Sequence, residues 1–122
     1  MRSSILTLAA TLALIVASAS SLLAHAVLTK ASLEGAPVRA NTSTTVTLRF
    51  NAAIETGFTK VVLVDERHAE HVLEVLPGGE PGTVSVAVPA LAPGTYGLRY
   101  KVLATDGHVT ESVLRFKVAA AD

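Results

Sequence analysis

Apolar and polar residues alternate along several short stretches of this chain, which is the period of a β-strand with one buried face. In two stretches the apolar side chains fall on a single face: Val46, Leu48 and Phe50 in residues 44–50, and Val84, Val86 and Val88 in residues 83–88. Similar runs, separated by turn residues, predict seven strands: one around 27–31 and others at 44–50, 58–64, 71–76, 83–88, 95–103 and 112–118. Short strands without an amphipathic helix predict an all-β domain, a β-sandwich or barrel.

The stretch LAPGTYGL, residues 91–98, indicates how the strands connect. Pro93 and Gly94 form a turn signal, and Tyr96 enters the following strand two residues later. This spacing resembles the tyrosine corner of Greek-key sandwiches, in which the phenol hydroxyl donates a hydrogen bond back to the backbone. We therefore expect a structural role for Tyr96 in a Greek-key sandwich.

The first 24 residues have a different pattern, that of a secretory signal peptide. Arg2 supplies a positive charge, an apolar run of 13 residues extends from Ile5 to Ala17, and small residues lead to Ala24. Because the run is shorter than the roughly 20 residues that a helix needs to span a bilayer, we expect cleavage rather than a retained anchor. The predicted organisation is a signal peptide at 1–24 and a single domain at 25–122.

The pattern leaves two cleavage sites open. The small-residue rule is matched by AHA, residues 24–26, and this cut removes His25 and makes Val27 the first residue. Cleavage after Ala24 instead makes His25 the mature N-terminus. The choice matters because only the second cut gives a histidine that also carries a free α-amine.

Composition narrows the chemistry of the exported chain. Residues 25–122 contain nine Lys and Arg against ten Asp and Glu, so neither nucleic acid nor an anionic membrane is indicated as a partner. The sequence has no cysteine, and its one methionine is Met1, which is removed with the signal peptide. The core must therefore hold by packing alone, and the mature sequence offers none of the soft sulfur ligands that Cu(I) prefers.

One candidate pair lies in ATDGHVTES, residues 104–112, at the junction between the last two predicted strands. Asp106 and His108 are two residues apart, so their side chains share one face if the segment is extended. The alternative is a hairpin bend around the turn dipeptide Asp-Gly, in which the histidine is incidental. The motif alone does not decide between the two.

An N-terminal His25 would complete a metal site around this pair. Its α-amine and near ring nitrogen close a chelate ring on one ion, His108 adds a third nitrogen, and Asp106 lies nearby as an oxygen ligand. Three nitrogens and one oxygen in a roughly square arrangement suit Cu(II), which also stands above Zn²⁺ in the divalent affinity order. The hypothesis is one Cu(II) ion per chain, held by His25, Asp106 and His108.

The order of these motifs resembles that of the CopC-type periplasmic copper-binding proteins over nearly the whole predicted domain. The matching segments are HAVLTKASLEGAPV at the mature N-terminus, then TVTLRF, FTKVVLVD and LAPGTYGLRYKVLATDGHVTESVLRFKV. The sequence departs from the family at Ala52, where an acidic residue is frequent, and at Tyr100, where the family has tryptophan. Neither departure changes an expected ligand. Ala52, however, lacks the carboxylate that an acidic residue at this position would contribute near the metal.

The resemblance implies cleavage after Ala24, a cupredoxin-like Greek-key sandwich, and Cu(II) bound by His25 together with Asp106 and His108. It also implies a periplasmic protein that buffers or carries copper in homeostasis or resistance, with handover to an inner-membrane copper transport protein of the CopD type. Some family members have a methionine-rich Cu(I) loop. The corresponding stretch here, DERHAEHVLE, has no methionine, so only the Cu(II) site is expected.

Other interpretations stay open. His68 and His71 lie either in a solvated loop or at a weak second metal site, since their spacing fits one turn of helix. An enzyme is not expected, although oxidative polysaccharide-cleaving enzymes also hold copper with an N-terminal histidine. Those enzymes need a broad aromatic face, and this chain has two Tyr, three Phe and no Trp. Cleavage after Ala26 would favour an exported immunoglobulin-like interaction module without metal.

Overall fold

A computed structural model describes residues 26–35 and 37–120 of the chain. This part forms nine strands and two 3-10 turns, Ser32–Glu34 and Thr56–Phe58. The strands are β1 Leu28–Ala31, β2 Val38–Arg39, β3 Thr44–Phe50, β4 Lys60–Val64, β5 Glu70–Leu73, β6 Val75–Pro77, β7 Thr83–Val88, β8 Gly94–Leu103 and β9 Val109–Ala119. The predicted all-β class is confirmed. The predicted signal peptide, residues 1–24, and the predicted ligand His25 lie outside the described residues.

Two sheets make up the sandwich. One has the strand order β1-β3-β7-β6 and the other the order β2-β9-β8-β4-β5. All neighbouring strands in these sheets are antiparallel except β2, which pairs in parallel with the end of β9. The β8–β9 hairpin has the longest register, from Gly94 opposite Val118 to Leu103 opposite Val109. The turn between these two strands contains the Asp-Gly-His motif.

The structure has more strands than the seven predicted, because two short elements cannot be recognised from alternating apolar and polar residues. The run predicted at 71–76 divides into β5 and β6, since the chain crosses there from the five-stranded to the four-stranded sheet. β2 has two residues, which is too short for a period of two to be visible. Within the described part of the chain, no helix is long and apolar enough to cross a membrane.

The core lies between the two sheets and consists of the inward-facing residues of the alternating strands. Its largest fully buried side chains are Leu48, Leu63, Leu98, Val46, Val61, Val84, Val86, Val88 and Val102. These residues come from β3, β4, β7 and β8, the central strands of each sheet. Burial of apolar surface by these strands therefore supplies most of the stability, as expected for a chain without cysteine.

Aromatic side chains hold the ends of the sandwich. The Tyr96 hydroxyl donates a hydrogen bond of 2.7 Å to the carbonyl oxygen of Ala92, which confirms the predicted tyrosine corner. The Tyr96 ring also stacks on Phe116, with 5.8 Å between ring centroids. Tyr100, at the position where the resemblance led us to note a missing tryptophan, is buried and packs edge-on against Phe50.

We expect Val86→Ala to lower the free energy of unfolding by about 2 kcal/mol, because it removes two buried methyl groups and leaves a cavity. Val86 has no exposed surface and lies between β3 and β6. The matched control is Val72→Ala on β5, where the side chain is 84% exposed and the cost should stay within about 0.5 kcal/mol. Urea unfolding of both variants measures the difference; equal destabilisation would contradict this account of the core.

Candidate metal centre

The Asp-Gly-His motif forms the turn that connects β8 to β9. The backbone N–H of Ala104 donates to the carbonyl oxygen of His108 at 2.8 Å, and the N–H of Gly107 donates to the carbonyl oxygen of Ala104 at 2.9 Å. Gly107 has a φ of +95°, a left-handed conformation that glycine adopts without steric cost. Of the two local structures left open by the sequence, the hairpin bend is the one observed.

The bend nevertheless brings the two candidate side chains into contact. One carboxylate oxygen of Asp106, Oδ1, accepts the backbone N–H of His108 at 3.1 Å. The other oxygen, Oδ2, lies 3.1 Å from Nδ1 of the His108 imidazole. Both side chains are about half exposed, at 45% for Asp106 and 47% for His108. The carboxylate and imidazole therefore converge at the protein surface without an extended segment.

The hydrogen bond from the backbone N–H of His108 is the main cause that holds the pKa of Asp106 below its usual range. Desolvation opposes this lowering, and the His108 imidazole adds to it. Asp106 is consequently ionised at neutral pH. A carboxylate in contact with Nδ1 favours the tautomer that has its proton on this nitrogen and its lone pair on Nε2. The pair thus presents a negative oxygen and an oriented imidazole, which is the usual preparation of a metal-ligating histidine.

A short segment after β3 fixes the position of this turn. The N–H of Thr105 donates to the carbonyl oxygen of Ala53 at 3.1 Å, and the N–H of Glu55 donates to the carbonyl oxygen of Leu103 at 2.8 Å. Ile54 forms a β-bridge with Ala104 between these two bonds. The segment therefore extends the β8 edge and holds the turn from one side.

The same segment holds the start of β1 through Asn51. The side-chain oxygen Oδ1 of Asn51 accepts the backbone N–H of Val27 at 2.7 Å. The backbone N–H of Asn51 donates in return to the carbonyl oxygen of Val27 at 2.9 Å. Val27 and Thr105 are thus bonded to residues only two apart, Asn51 and Ala53. The beginning of the described chain and the Asp-Gly-His turn are therefore both hydrogen-bonded to the same short segment after β3.

Asn51 has no counterpart among the residues that the sequence analysis selected. The alternation of β3 ends at Phe50, and Asn51 acts on a residue 24 positions earlier in the chain, which no local pattern can indicate. The available signal was a short amide side chain directly after the last buried position of a strand, where it can bond to backbone groups. Its neighbour Ala52, the departure from the family pattern, supplies no polar group.

The third predicted ligand, His25, lies outside the described residues. Within residues 26–35 and 37–120, no three His, Asp or Glu side chains come together in a group that could hold a metal ion. The structure therefore brings Asp106 and His108 together and leaves the remaining donors of the predicted site to a residue that it does not describe.

His68 and His71 are not on a helix. His68 lies in the loop before β5 with a φ of +63°, and His71 lies in β5 with Nε2 3.7 Å from Oδ2 of Asp65. The other oxygen of Asp65 accepts the backbone N–H groups of Arg67 and Ala69, both at 2.9 Å. The Ala69 N–H is the main cause that lowers the pKa of Asp65. This carboxylate therefore shapes the β4–β5 loop. Both histidines are exposed, and the helical spacing on which the alternative of a second metal site was based does not occur.

Comparisons with known proteins agree with this fold. A model of the CopC domain matches residues 28–119 of the chain. The crystal structure of CopC from Methylosinus trichosporium OB3b superposes with a TM-score of 0.67 and 26% identity, over 80% of this chain and 97% of that one. PcoC, a methionine-rich copper resistance protein from Escherichia coli, has a TM-score of 0.58 and 21% identity, over 79% of this chain and 100% of that one, and shows likeness of fold. No curated protein matches the sequence.

Proposed function

The chain belongs to the CopC domain family, and from this premise we propose that it is a periplasmic protein that binds one Cu(II) ion and buffers or carries it in copper homeostasis or resistance. The proposed ligands are the α-amine and imidazole of His25, the imidazole of His108 and a carboxylate oxygen of Asp106. The similar structures from Methylosinus trichosporium OB3b and Escherichia coli support a copper role, since the latter is a copper resistance protein.

The observation that carries the proposal is the shared support of Val27 and the Asp-Gly-His turn. Val27 is bonded to Asn51, and Thr105, next to Asp106, is bonded to Ala53. His25 precedes Val27 by two residues in the chain. This shared segment supports a site in which a mature N-terminal His25 joins the Asp106–His108 pair.

The donor types of this set suit Cu(II). Nitrogen and oxygen donors in a tetragonal arrangement favour Cu(II), and the set contains no thiolate or thioether that would favour Cu(I). Asp106 is ionised, and its contact with Nδ1 of His108 orients the imidazole for coordination through Nε2; ligation by Asp106 itself would exchange this contact for the metal. When bound, copper is the cargo of this site, and the residues of the chain hold and release it.

Burial of Ala26 supports cleavage after Ala24. Ala26 has no exposed surface and belongs to the hydrophobic core. Cleavage after Ala26 would remove this core residue and would place a charged α-amine on Val27, whose N–H donates to Asn51. Retention of Ala26 keeps the core complete and leaves His25 as the first residue of a domain at 25–122.

The surface position of the pair supports carriage rather than catalysis. Asp106 and His108 are both about half exposed, so a partner can approach the metal directly. A full set of four donors leaves no open position for a substrate, which an enzyme of the oxidative type would need. We therefore propose exchange of copper with an inner-membrane transport protein of the CopD type, and no catalytic step.

We expect the exported protein to begin at His25, which intact mass spectrometry of the mature chain determines directly. The reason is the buried position of Ala26, which cleavage after Ala24 keeps in the core. A mature chain that begins at Val27 would refute the Cu(II) site and would leave an exported interaction module without metal as the function.

We expect His108→Ala to weaken Cu(II) binding by more than about a hundredfold, because loss of a residue that merely orients a ligand already costs 10- to 100-fold. Asp106→Asn should weaken binding by about 10-fold or more, because it removes a carboxylate that orients the His108 imidazole and is itself a proposed ligand. The control is His71→Ala, since His71 lies opposite Leu63 in the β4–β5 pair and away from the β8–β9 turn. Competition titration against a chelator of known Cu(II) affinity measures all three. Unchanged binding by His108→Ala would exclude this site.

We expect Asn51→Leu to weaken Cu(II) binding by about 10-fold or more, because it removes the acceptor that fixes Val27 beside the turn. Asn51→Asp keeps the acceptor oxygen and should preserve the affinity. Thr29→Val is the matched control, since it removes a hydrogen bond to the Arg49 carbonyl oxygen in the same β1–β3 pair. Equal Cu(II) affinity of the Asn51→Leu and Thr29→Val variants would show that Asn51 does not position the site.

A further inference from the structure

A groove of about 230 Å³ lies beside the Asp-Gly-His turn on the outer face of the five-stranded sheet. Its lining residues come from the turn after β3, from β4, from β8 and from the start of β9: Phe58, Lys60, Lys101, Val102, Leu103 and Val109. Val109 follows His108 directly in the chain and stands opposite Leu103 in the register of the hairpin. The groove therefore begins one residue after His108 in the chain.

Its apolar walls are unusually exposed. Phe58, the last residue of the Thr56–Phe58 turn, is 68% exposed, and Val109 is 53% exposed. Leu103 also lines the groove and is partly buried. An aromatic side chain that remains in water beside a second apolar side chain is a typical anchor point of protein interfaces.

The charged groups at the groove are both positive. Lys60 and Lys101 stand directly opposite each other in the β4–β8 pair, an arrangement in which like charges repel. The groove has no carboxylate in its lining. Glu111 stands opposite Lys101 on its other side, but in the part of the chain that the structure describes neither lysine forms an ion pair within 4 Å. Carboxylates from a partner would relieve this repulsion.

We propose that this groove docks a partner protein through a segment in which an apolar side chain is flanked by carboxylates. The apolar side chain enters between Phe58 and Val109, and the carboxylates face Lys60 and Lys101. The docked segment then lies next to His108, where a copper-exchanging protein must approach. Only this last step, the role in copper exchange, rests on the proposed function.

The same features disfavour other occupants. A second copy of this chain in a two-fold contact would bring the Lys60 and Lys101 ammonium groups of both copies together. An anionic membrane is attracted by clusters of roughly four to eight cationic residues, and this groove presents two. A concave site walled by two apolar side chains fits a single inserted side chain better than a flat lipid surface.

The test is a titration of the metal-free protein, observed by ¹H–¹⁵N NMR, with a hexapeptide in which leucine and phenylalanine are flanked on each side by two glutamates. We expect chemical-shift changes confined to the groove. We expect affinity at least about tenfold lower for Phe58→Ser and for Lys60→Glu/Lys101→Glu, and no change for Val72→Ser, an exposed valine on β5. A peptide with lysines in place of glutamates should not bind.

Absence of binding at 10 mM peptide, shifts away from the groove, or equal affinity for the lysine peptide would each overturn the proposal. Binding of the protein to vesicles of phosphatidylglycerol and phosphatidylcholine that is lost in Phe58→Ser would replace the protein partner by a membrane. Dimerisation lost in the same variant, measured by sedimentation, would replace it by a second copy. Because the titration needs no copper, its failure is distinguishable from failure of the Cu(II) site, which the His108→Ala measurement decides.

Discussion

The short segment after β3, residues 51–55, forms hydrogen bonds in two directions. Through these bonds it joins the start of β1 to the turn between β8 and β9. Asn51 bonds to Val27 on one side, and Ala53 and Glu55 bond to β8 and its turn on the other. β1 belongs to the four-stranded sheet and β8 and β9 to the five-stranded sheet, so this segment makes a direct hydrogen-bonded connection between the N-terminal end of the domain and the Asp106–His108 turn. The proposed ligand set therefore depends on a backbone connection more than on any ligand taken alone.

This connection is rigid because of the core beneath it. β3 leads into the segment directly from Phe50, which is buried and packs on Tyr100 of β8. The Phe50 N–H also donates to the carbonyl oxygen of Gly82 at 2.8 Å. Gly82 has a φ of +78°, and a Cβ atom at this position would lie only 2.8 Å from the carbonyl oxygen of Ala52. Packing and a close backbone approach thus hold the segment in place, in a protein that has no disulfide to do so.

The sequence was sufficient for the elements that obey a period of two. β3, β7 and β8 were predicted nearly to their ends, and the tyrosine corner was predicted to the residue, because each depends on alternation or on a local turn. β2 and the division between β5 and β6 were missed, since they depend on pairing with distant strands. The sequence predicted contact of Asp106 with His108 only for an extended segment, whereas the contact forms in a hairpin bend. Asn51 was missed because its partner, Val27, is remote in the chain.

The direction of β9 separates the two ends of the domain. This strand of 11 residues carries the chain away from the Asp-Gly-His turn, and at about 3.4 Å per residue its far end lies roughly 35 Å away. There β2 pairs with it in parallel, and the Ala40 N–H donates to the carbonyl oxygen of Ala119. A purification tag or fluorophore attached after Ala120 would accordingly lie at the end of the domain remote from this turn, whereas, with the proposed cleavage after Ala24, any extension before His25 would convert the proposed α-amine ligand into an amide.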